Sequence, residues 1–63
     1  MSRETFERAK GKKGVKIRFR DGFRLTGCIK DVRDGEFDFQ TEQRTSTIDM
    51  AEIVTVDLPN GRR

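Results

Sequence analysis

The feature that most constrains this chain is the alternation of apolar and cationic residues that begins at Val15 and continues to Arg20. A period of two is the pattern of a β-strand with one buried side and one solvent-facing side. Two Asp-Gly pairs follow, at residues 21–22 and 34–35, and this dipeptide favours the left-handed backbone of a type I′ hairpin turn. Together they predict consecutive antiparallel strands.

The second predicted strand, residues 23–33, contains a break in the alternation. Leu25, Gly27 and Ile29 share one side, whereas Val32 falls on the opposite side. A long strand with an internal glycine and such a shift is typical of a bend or a β-bulge. Small barrels require bending of this kind.

The whole pattern predicts a mainly β fold, a short N-terminal helix followed by a five-stranded, strongly bent antiparallel barrel, with an SH3-like barrel as one possible form. The helix has only Phe6 and Ala9 as an apolar edge, so it must lie across one end of the barrel to be stable. The predicted elements are a helix over about 2–11 capped by Ser2, strands at 15–20, 23–33, 36–40, 45–49 and 53–58, one helical turn at 50–52, and a short basic tail at 59–63.

Chain length predicts one domain, residues 1–63, and a domain this small buries only about 60% of the surface of its unfolded chain. Its 32% hydrophobic and 40% charged residues leave few side chains for a core. Cys28 is the single cysteine and histidine is absent, which excludes an internal disulfide and leaves no zinc cluster. Oligomerisation is therefore the expected source of added stability.

The same composition predicts a cytoplasmic protein that is not an enzyme. A single cysteine and the lack of an apolar stretch near 18 residues indicate a reducing compartment, without a signal peptide or membrane span. The chain offers no histidine, no base for Cys28 and no carboxylate cluster at ligand spacing, so we expect no cofactor, metal or small-molecule substrate. Cys28 is interpreted as a small apolar-like filler rather than a reactive thiol.

Charge is distributed unevenly along the chain. Residues 1–24 carry nine Lys/Arg against three Asp/Glu, whereas residues 25–63 carry five against eight. A concentration of cations can mark a phosphate-binding face, or it can be a solvated surface that keeps the protein soluble. The candidate RNA-binding residues are Lys12, Lys13, Lys16, Arg18, Arg20, Arg24 and Arg33.

Aromatic stacking, which usually accompanies single-strand binding, has few candidates here. The chain has no Tyr or Trp, and every Phe except Phe6 falls on the presumed inward side of a strand. These phenylalanines are interpreted as core residues. Phe23, beside the first Asp-Gly pair, is the one most open to exposure.

The fourth and fifth predicted strands lie at the edges of an open barrel. They carry little of the Lys or Pro that normally protects an edge, so we expect them to pair with another copy of the chain. The candidate interface residues are Ile48, Ile53, Val54 and Val56.

The second predicted strand has Gly27 followed by apolar residues two and five positions later, Ile29 and Val32, and the third has the apolar pair Phe37 and Phe39. With the order of elements, this spacing resembles the Sm-like family, which includes bacterial Hfq, and implies an Sm-like (SH3-like) barrel. The resemblance implies a head-to-tail contact between the fourth strand of one subunit and the fifth of the next. It also implies a homo-hexameric or homo-heptameric ring that binds RNA.

Three departures from the family separate this chain from its uridine-binding members. Arg33 stands where those members carry Asp, and Glu36 and Phe37 stand near the place of the Asn that partners this Asp. Residues 50–52 stand where the second motif has Arg-Gly or Lys-His. The leading hypothesis is therefore a ring that binds RNA through its basic surface without the standard uridine pocket. The alternative is an oligomeric scaffold or interaction module, while an SH3-like peptide adaptor is disfavoured because polyproline grooves use Tyr and Trp.

Overall fold

The computed structural model describes residues 3–59, which form one short helix and a five-stranded antiparallel sheet. The sheet order is β4-β3-β2-β1-β5, so β4 and β5 are its two edges, and no pairing between them closes the sheet among these residues. The elements are α1 Arg3–Ala9, β1 Val15–Phe19, β2 Arg24–Arg33, β3 Glu36–Gln40, β4 Thr45–Asp49, a 3₁₀ turn Met50–Glu52 and β5 Ile53–Asp57.

These bounds confirm the predicted mainly β class, the N-terminal helix and each of the five strands to within a few residues. Ser2 as a helix cap and most of the predicted tail, residues 60–63, lie outside the described residues. Neither helical element within residues 3–59 is long and apolar enough to cross a membrane.

The strand β2 is shared between two halves of the sheet. Its first half pairs with β1 up to Gly27, which lies opposite Val15, and its second half pairs with β3 from Cys28, which lies opposite Gln40. The register with β3 shifts between Ile29 and Val32, which confirms the predicted irregularity in this strand. The sheet therefore changes partner in the middle of β2.

Gly27 is required at this change of partner because β3 approaches the backbone closely. A Cβ at this position would collide with the carbonyl oxygen of Gln40 and would lie 3.0 Å from the ring of Phe39. Only glycine leaves room for two backbones at such a distance. The residue that matches the Sm-like motif thus has a local steric role in this chain.

The first hairpin turn differs from the predicted type I′ turn. The N–H of Gly22 donates to the carbonyl of Phe19 at 3.0 Å, and the N–H of Phe19 donates to the carbonyl of Phe23 at 2.7 Å. These two bonds enclose a loop of three residues, 20–22. Gly22, its last residue, has a φ of 93°, as in the three-residue hairpin loop that ends with a left-handed glycine. The second Asp-Gly pair does form a two-residue loop, between the paired residues Arg33 and Glu36.

The core lies between α1 and the inward side of the sheet. The ring of Phe6 lies 4.7 Å from that of Phe37, and the N–H of Gly11 donates to the carbonyl of Ile29 at 2.9 Å, which holds the helix end on β2. The short helix is stable because it buries its apolar edge, as expected. The buried side chains are Phe6, Ala9, Val15, Ile17, Ile29, Val32, Phe37, Phe39, Ile48, Met50 and Ile53.

The interpretation of the strand phenylalanines as core residues is correct for two of the four. Phe37 and Phe39 are buried, but Phe19 is half-buried and Phe23 is 59% exposed. Phe23 lies at the end of the three-residue loop, before β2 begins, and the centre of its ring lies 5.8 Å from that of Phe19. Phe23 lies opposite Phe19 on the inward side, as alternation predicts, but it lies beyond the end of the core and its ring remains exposed.

Candidate nucleic-acid interface

The outward side of the β1–β2 hairpin carries three cations that the register brings together. Val15 and Ile17 are buried, so the residues between and after them, Lys16 and Arg18, face solvent. Arg18 lies directly opposite Arg24 of β2. We call Lys16, Arg18 and Arg24 the cationic face.

Like charges directly opposite each other destabilise a pair of strands. A bound anion or screening by solvent would reduce the repulsion between Arg18 and Arg24. Among residues 3–59, none of the three side chains of the cationic face forms a salt bridge. The strand β5 borders this face with Thr55 opposite Arg18 and Asp57 opposite Lys16. The cationic face is therefore only partly neutralised, at its Lys16 end.

The other predicted basic residues of the first third lie around this face. Lys12 and Lys13 are exposed in the loop that leads into β1, next to the Lys16 end. Arg20 is exposed at the opposite end of β1, in the turn that also displays Phe23. Its guanidinium donates a long hydrogen bond, 3.5 Å, to the carbonyl of Ala51.

Arg33 is separated from this group and is bound by carboxylates of its own hairpin. Its guanidinium contacts Asp38 at 2.8 Å, Glu36 at 3.0 Å and Asp31 at 3.1 Å. Thr47 of β4 donates a further hydrogen bond to Asp38 at 2.8 Å. Three carboxylates surround one guanidinium, so this patch repels phosphate, and the structure does not bring Arg33 together with the other six predicted RNA-binding residues.

The same contacts shift the titration of two groups in opposite directions. The hydrogen bonds from Arg33, and next the one from Thr47, hold the pKa of the Asp38 carboxyl below its ordinary value. Hydrogen bonds to Asp38 and then to Glu36 raise the pKa of the Arg33 guanidinium. Both groups stay ionised at neutral pH.

Asp38 is expected to make stability fall in acid. Because its pKa is lower in the folded chain than in the unfolded one, the ionised carboxyl stabilises the fold above the unfolded pKa of about 3.9. This stabilisation is lost as the pH falls through the folded pKa. Thermal unfolding at pH 7 and pH 3 should show that Asp38→Asn loses less stability in acid than the wild type does. The difference between the two proteins should be modest, since the ion pair lies at the surface.

Glu42→Gln is the matched control for that measurement. Glu42 is exposed in the β3–β4 turn and forms no salt bridge within the described part of the chain. This variant should keep the pH dependence of the wild type. Identical acid responses of the wild type and both variants would mean that the contact between Arg33 and Asp38 does not stabilise the fold.

One hydrogen bond shows which backbone groups of β4 face the free edge of the sheet. The N–H of Met50 donates to the carbonyl of Gly35 at 2.9 Å. Because bonded and non-bonded pairs alternate along an antiparallel ladder, the backbone groups of Thr45, Thr47 and Asp49 point away from β3. They form a row of unpaired donors and acceptors at this edge within residues 3–59.

The other edge, β5, combines unpaired backbone with apolar side chains. The N–H of Phe19 points to β2, and because backbone groups alternate in direction along a strand, those of Lys16 and Arg18 point to β5. Their partners on β5 point back to β1, so the backbone groups of Val56 face the free edge. Val54 is 45% exposed and Leu58 is 42% exposed. Of the four predicted interface residues, Ile48 and Ile53 belong to the core of the chain itself, Val56 is half-buried, and Val54 is free to meet a partner.

A groove of about 760 Å³ lies between the cationic face and the β3–β4 turn. Prediction from sequence missed its polar residues Lys30, Gln40 and Gln43. The available signal for Lys30 was its parity, since it follows Arg24 at even spacing along β2. The lining residues are Lys13, Gly14, Leu25, Thr26, Gly27, Cys28, Lys30, Gln40, Thr41, Glu42 and Gln43.

Within residues 3–59, no group of three or more His, Cys, Asp and Glu side chains is arranged to hold a metal ion. Comparison of the chain with protein-family models, with curated proteins and with solved structures found no match.

Proposed function

We propose that this chain is a cytoplasmic, ring-forming protein of the Sm-like kind that binds single-stranded RNA through the cationic face, without a uridine pocket of the standard type. The observation that carries the proposal is the pair Arg18 and Arg24, which lie opposite each other without a carboxylate partner among residues 3–59. Phosphate oxygens are the anions that such a pair binds most readily.

The geometry of the hairpin suits an extended polyanion. Neighbouring strands lie about 4.8 Å apart, so Arg18 and Arg24 can contact one phosphate, and Lys16 lies two residues further along β1. Phe23 lies opposite Phe19 at the turn end of the hairpin, on the same side of the sheet as Ile17, so its exposed ring is not part of the cationic face. The three cations thus lie together on one side of the hairpin.

Ring formation is supported by the two sheet edges. The strands β4 and β5 both leave backbone groups unpaired, and they lie at opposite ends of the sheet order. An edge of one chain can therefore pair with the other edge of a second chain, and repeated head-to-tail contacts close into a ring when the rotation allows. Each closure adds Val54 to a shared apolar contact.

The test of RNA binding is a fluorescence anisotropy titration of labelled U-rich and A-rich RNA over a series of salt concentrations. Wild-type affinity should fall steeply with salt, since each neutralised phosphate releases counterions. The variant Arg18→Gln/Arg24→Gln should bind more weakly to both RNAs. Its plot of log affinity against log salt should be shallower by about 0.7, the contribution of one phosphate of a single strand.

The matched control is Arg8→Gln/Arg44→Gln, which removes the same charge from α1 and from the β3–β4 turn. Its salt slope should stay close to that of the wild type. Equal weakening by both double variants would show a response to net charge and not to the cationic face. A ring that binds neither RNA would favour the scaffold interpretation over RNA binding.

A further inference from the structure

The groove beside the cationic face has the size and the chemistry of a ligand site. Its volume of about 760 Å³ falls in the range of roughly 300–1,000 Å³ usual for small-molecule sites. Leu25, Gly27 and Cys28 contribute apolar surface, and Gly27 contributes backbone only. The carbonyl of Gln40 fills the space that a side chain at position 27 would need, so a flat ring in the groove can contact Leu25, Cys28 and the backbone of Gly27.

Charged and polar groups surround that apolar surface. Lys13 and Lys30 line the groove, and within residues 3–59 neither forms a salt bridge. Glu42 is the one carboxylate in the lining, so two ammonium groups face one negative charge. The amides of Gln40 and Gln43 can each donate and accept hydrogen bonds, as the edge of a nucleobase requires.

The groove continues the cationic face along β2. Thr26 lies opposite Lys16 of the cationic face and also lines the groove, and Cys28 lies opposite Gln40. The outward positions of β2 run from Arg24 to Lys30, a distance of roughly 20 Å at strand spacing. An RNA strand bound at Arg24 can therefore follow the outward side of β2 into the groove.

We infer that the groove holds one nucleotide of the bound strand, with its base on the surface formed by Leu25, Gly27 and Cys28 and with flanking phosphates on Lys13 and Lys30. This inference rests on the proposed RNA binding and adds a second place, the groove, at which the RNA strand is held. The base supplies flat apolar area and hydrogen-bonding edges, and the phosphates supply the negative charge that the two lysines need.

The chain carries its own reporter for this site. Cys28 is the single cysteine, it is half-buried, and it lines the groove. The rate at which iodoacetamide alkylates Cys28, followed by intact mass, should fall several-fold when a U-rich or A-rich hexanucleotide saturates the protein. Uridine or adenosine 5′-monophosphate should protect Cys28 only at much higher concentration, and inorganic pyrophosphate, which has no base, should not protect it.

Paired variants separate the groove from the cationic face. In Lys13→Gln/Lys30→Gln the hexanucleotide should no longer slow alkylation, whereas Lys13→Arg/Lys30→Arg should retain protection. The control Arg8→Gln/Lys10→Gln removes two exposed cations of the α1 segment, which do not line the groove, and should be protected like the wild type. Circular dichroism checks that each variant is folded.

The outcomes distinguish this inference from the proposed function. RNA that binds by anisotropy but leaves Cys28 alkylation unchanged would overturn the groove site and leave the cationic face as the binding surface. Equal protection by pyrophosphate and by RNA would overturn the placement of a base. Absence of RNA binding at low salt would overturn the proposed function itself, and with it the placement of a strand in the groove.

Discussion

Gly27→Ala is expected to lower the free energy of unfolding by about 3 kcal/mol, the upper range for an overpacked interior. The added methyl group would collide with the carbonyl oxygen of Gln40, which is backbone and cannot rotate away as a side chain could. A chain of 63 residues has a total stability of roughly 3–9 kcal/mol, so much or all of it is lost. Urea unfolding followed by circular dichroism measures the change.

Gly22→Ala is the informative comparison for that variant. Gly22 has a φ of 93° and no atom within 4 Å of an added Cβ, so the substitution costs only the backbone strain of about 1–2 kcal/mol. Thr26→Ala, at the exposed position next to Gly27, should be close to neutral. A Gly27→Ala protein as stable as Thr26→Ala would show that β2 and β3 do not approach as closely as described.

Val54→Lys is expected to convert the proposed ring into single chains. Val54 is 45% exposed on the edge strand β5, so a lysine there is tolerated in one chain but places a charge in the contact between two edges. Light scattering should report a mass of six or seven times 7.3 kDa for the wild type and about one chain for the variant. The circular dichroism spectrum should remain that of a folded sheet at low temperature.

Gln43→Lys controls for the added charge, because it introduces a lysine at an exposed position in the β3–β4 turn, outside both edge strands. It should keep the mass of the wild type. If Val54→Lys also keeps that mass, the edges do not pair through β5, and a wild-type chain that is already single would contradict assembly altogether.

The two edge contacts and RNA binding are separable in these measurements. Loss of the ring in Val54→Lys leaves the three side chains of the cationic face in place, so each chain should still bind RNA, but without the gain from several linked sites. Arg18→Gln/Arg24→Gln should do the reverse, retaining mass while losing affinity. A variant that loses both properties would indicate that RNA holds the ring together.

Local pattern was sufficient for the elements of this fold. The alternation from Val15 identifies β1 because burial of Val15 and Ile17 follows from a period of two in any sheet with one wet side. The turn at residues 50–52 was also found, since three residues between two β-prone runs admit little else. Asp49 accepts a hydrogen bond from the N–H of Ala51 and so caps this turn.

The candidate site was predictable only where it follows a single hairpin. Lys16, Arg18 and Arg24 meet because strand parity and one turn place them, and both signals are local. The role assigned to Arg33 needed information from two other strands. It lies after the register shift, where β3 and β4 bring Asp38 and Thr47 beside it, and no spacing within β2 records those partners.

What the amino-acid sequence determined by itself is therefore the set of strands, their inward sides and the basic character of the first hairpin. These depend on residues within a few positions of one another. The exposure of Phe23, the carboxylates around Arg33 and the groove that joins Lys13, Lys30 and the β3–β4 turn were decided by the tertiary structure. Phe23 is exposed because it lies beyond the end of the core. For the carboxylates and the groove the physical reason is register: a one-residue change in a loop or a bulge moves every later side chain to the other side of the sheet, and only the packed core selects among the alternatives.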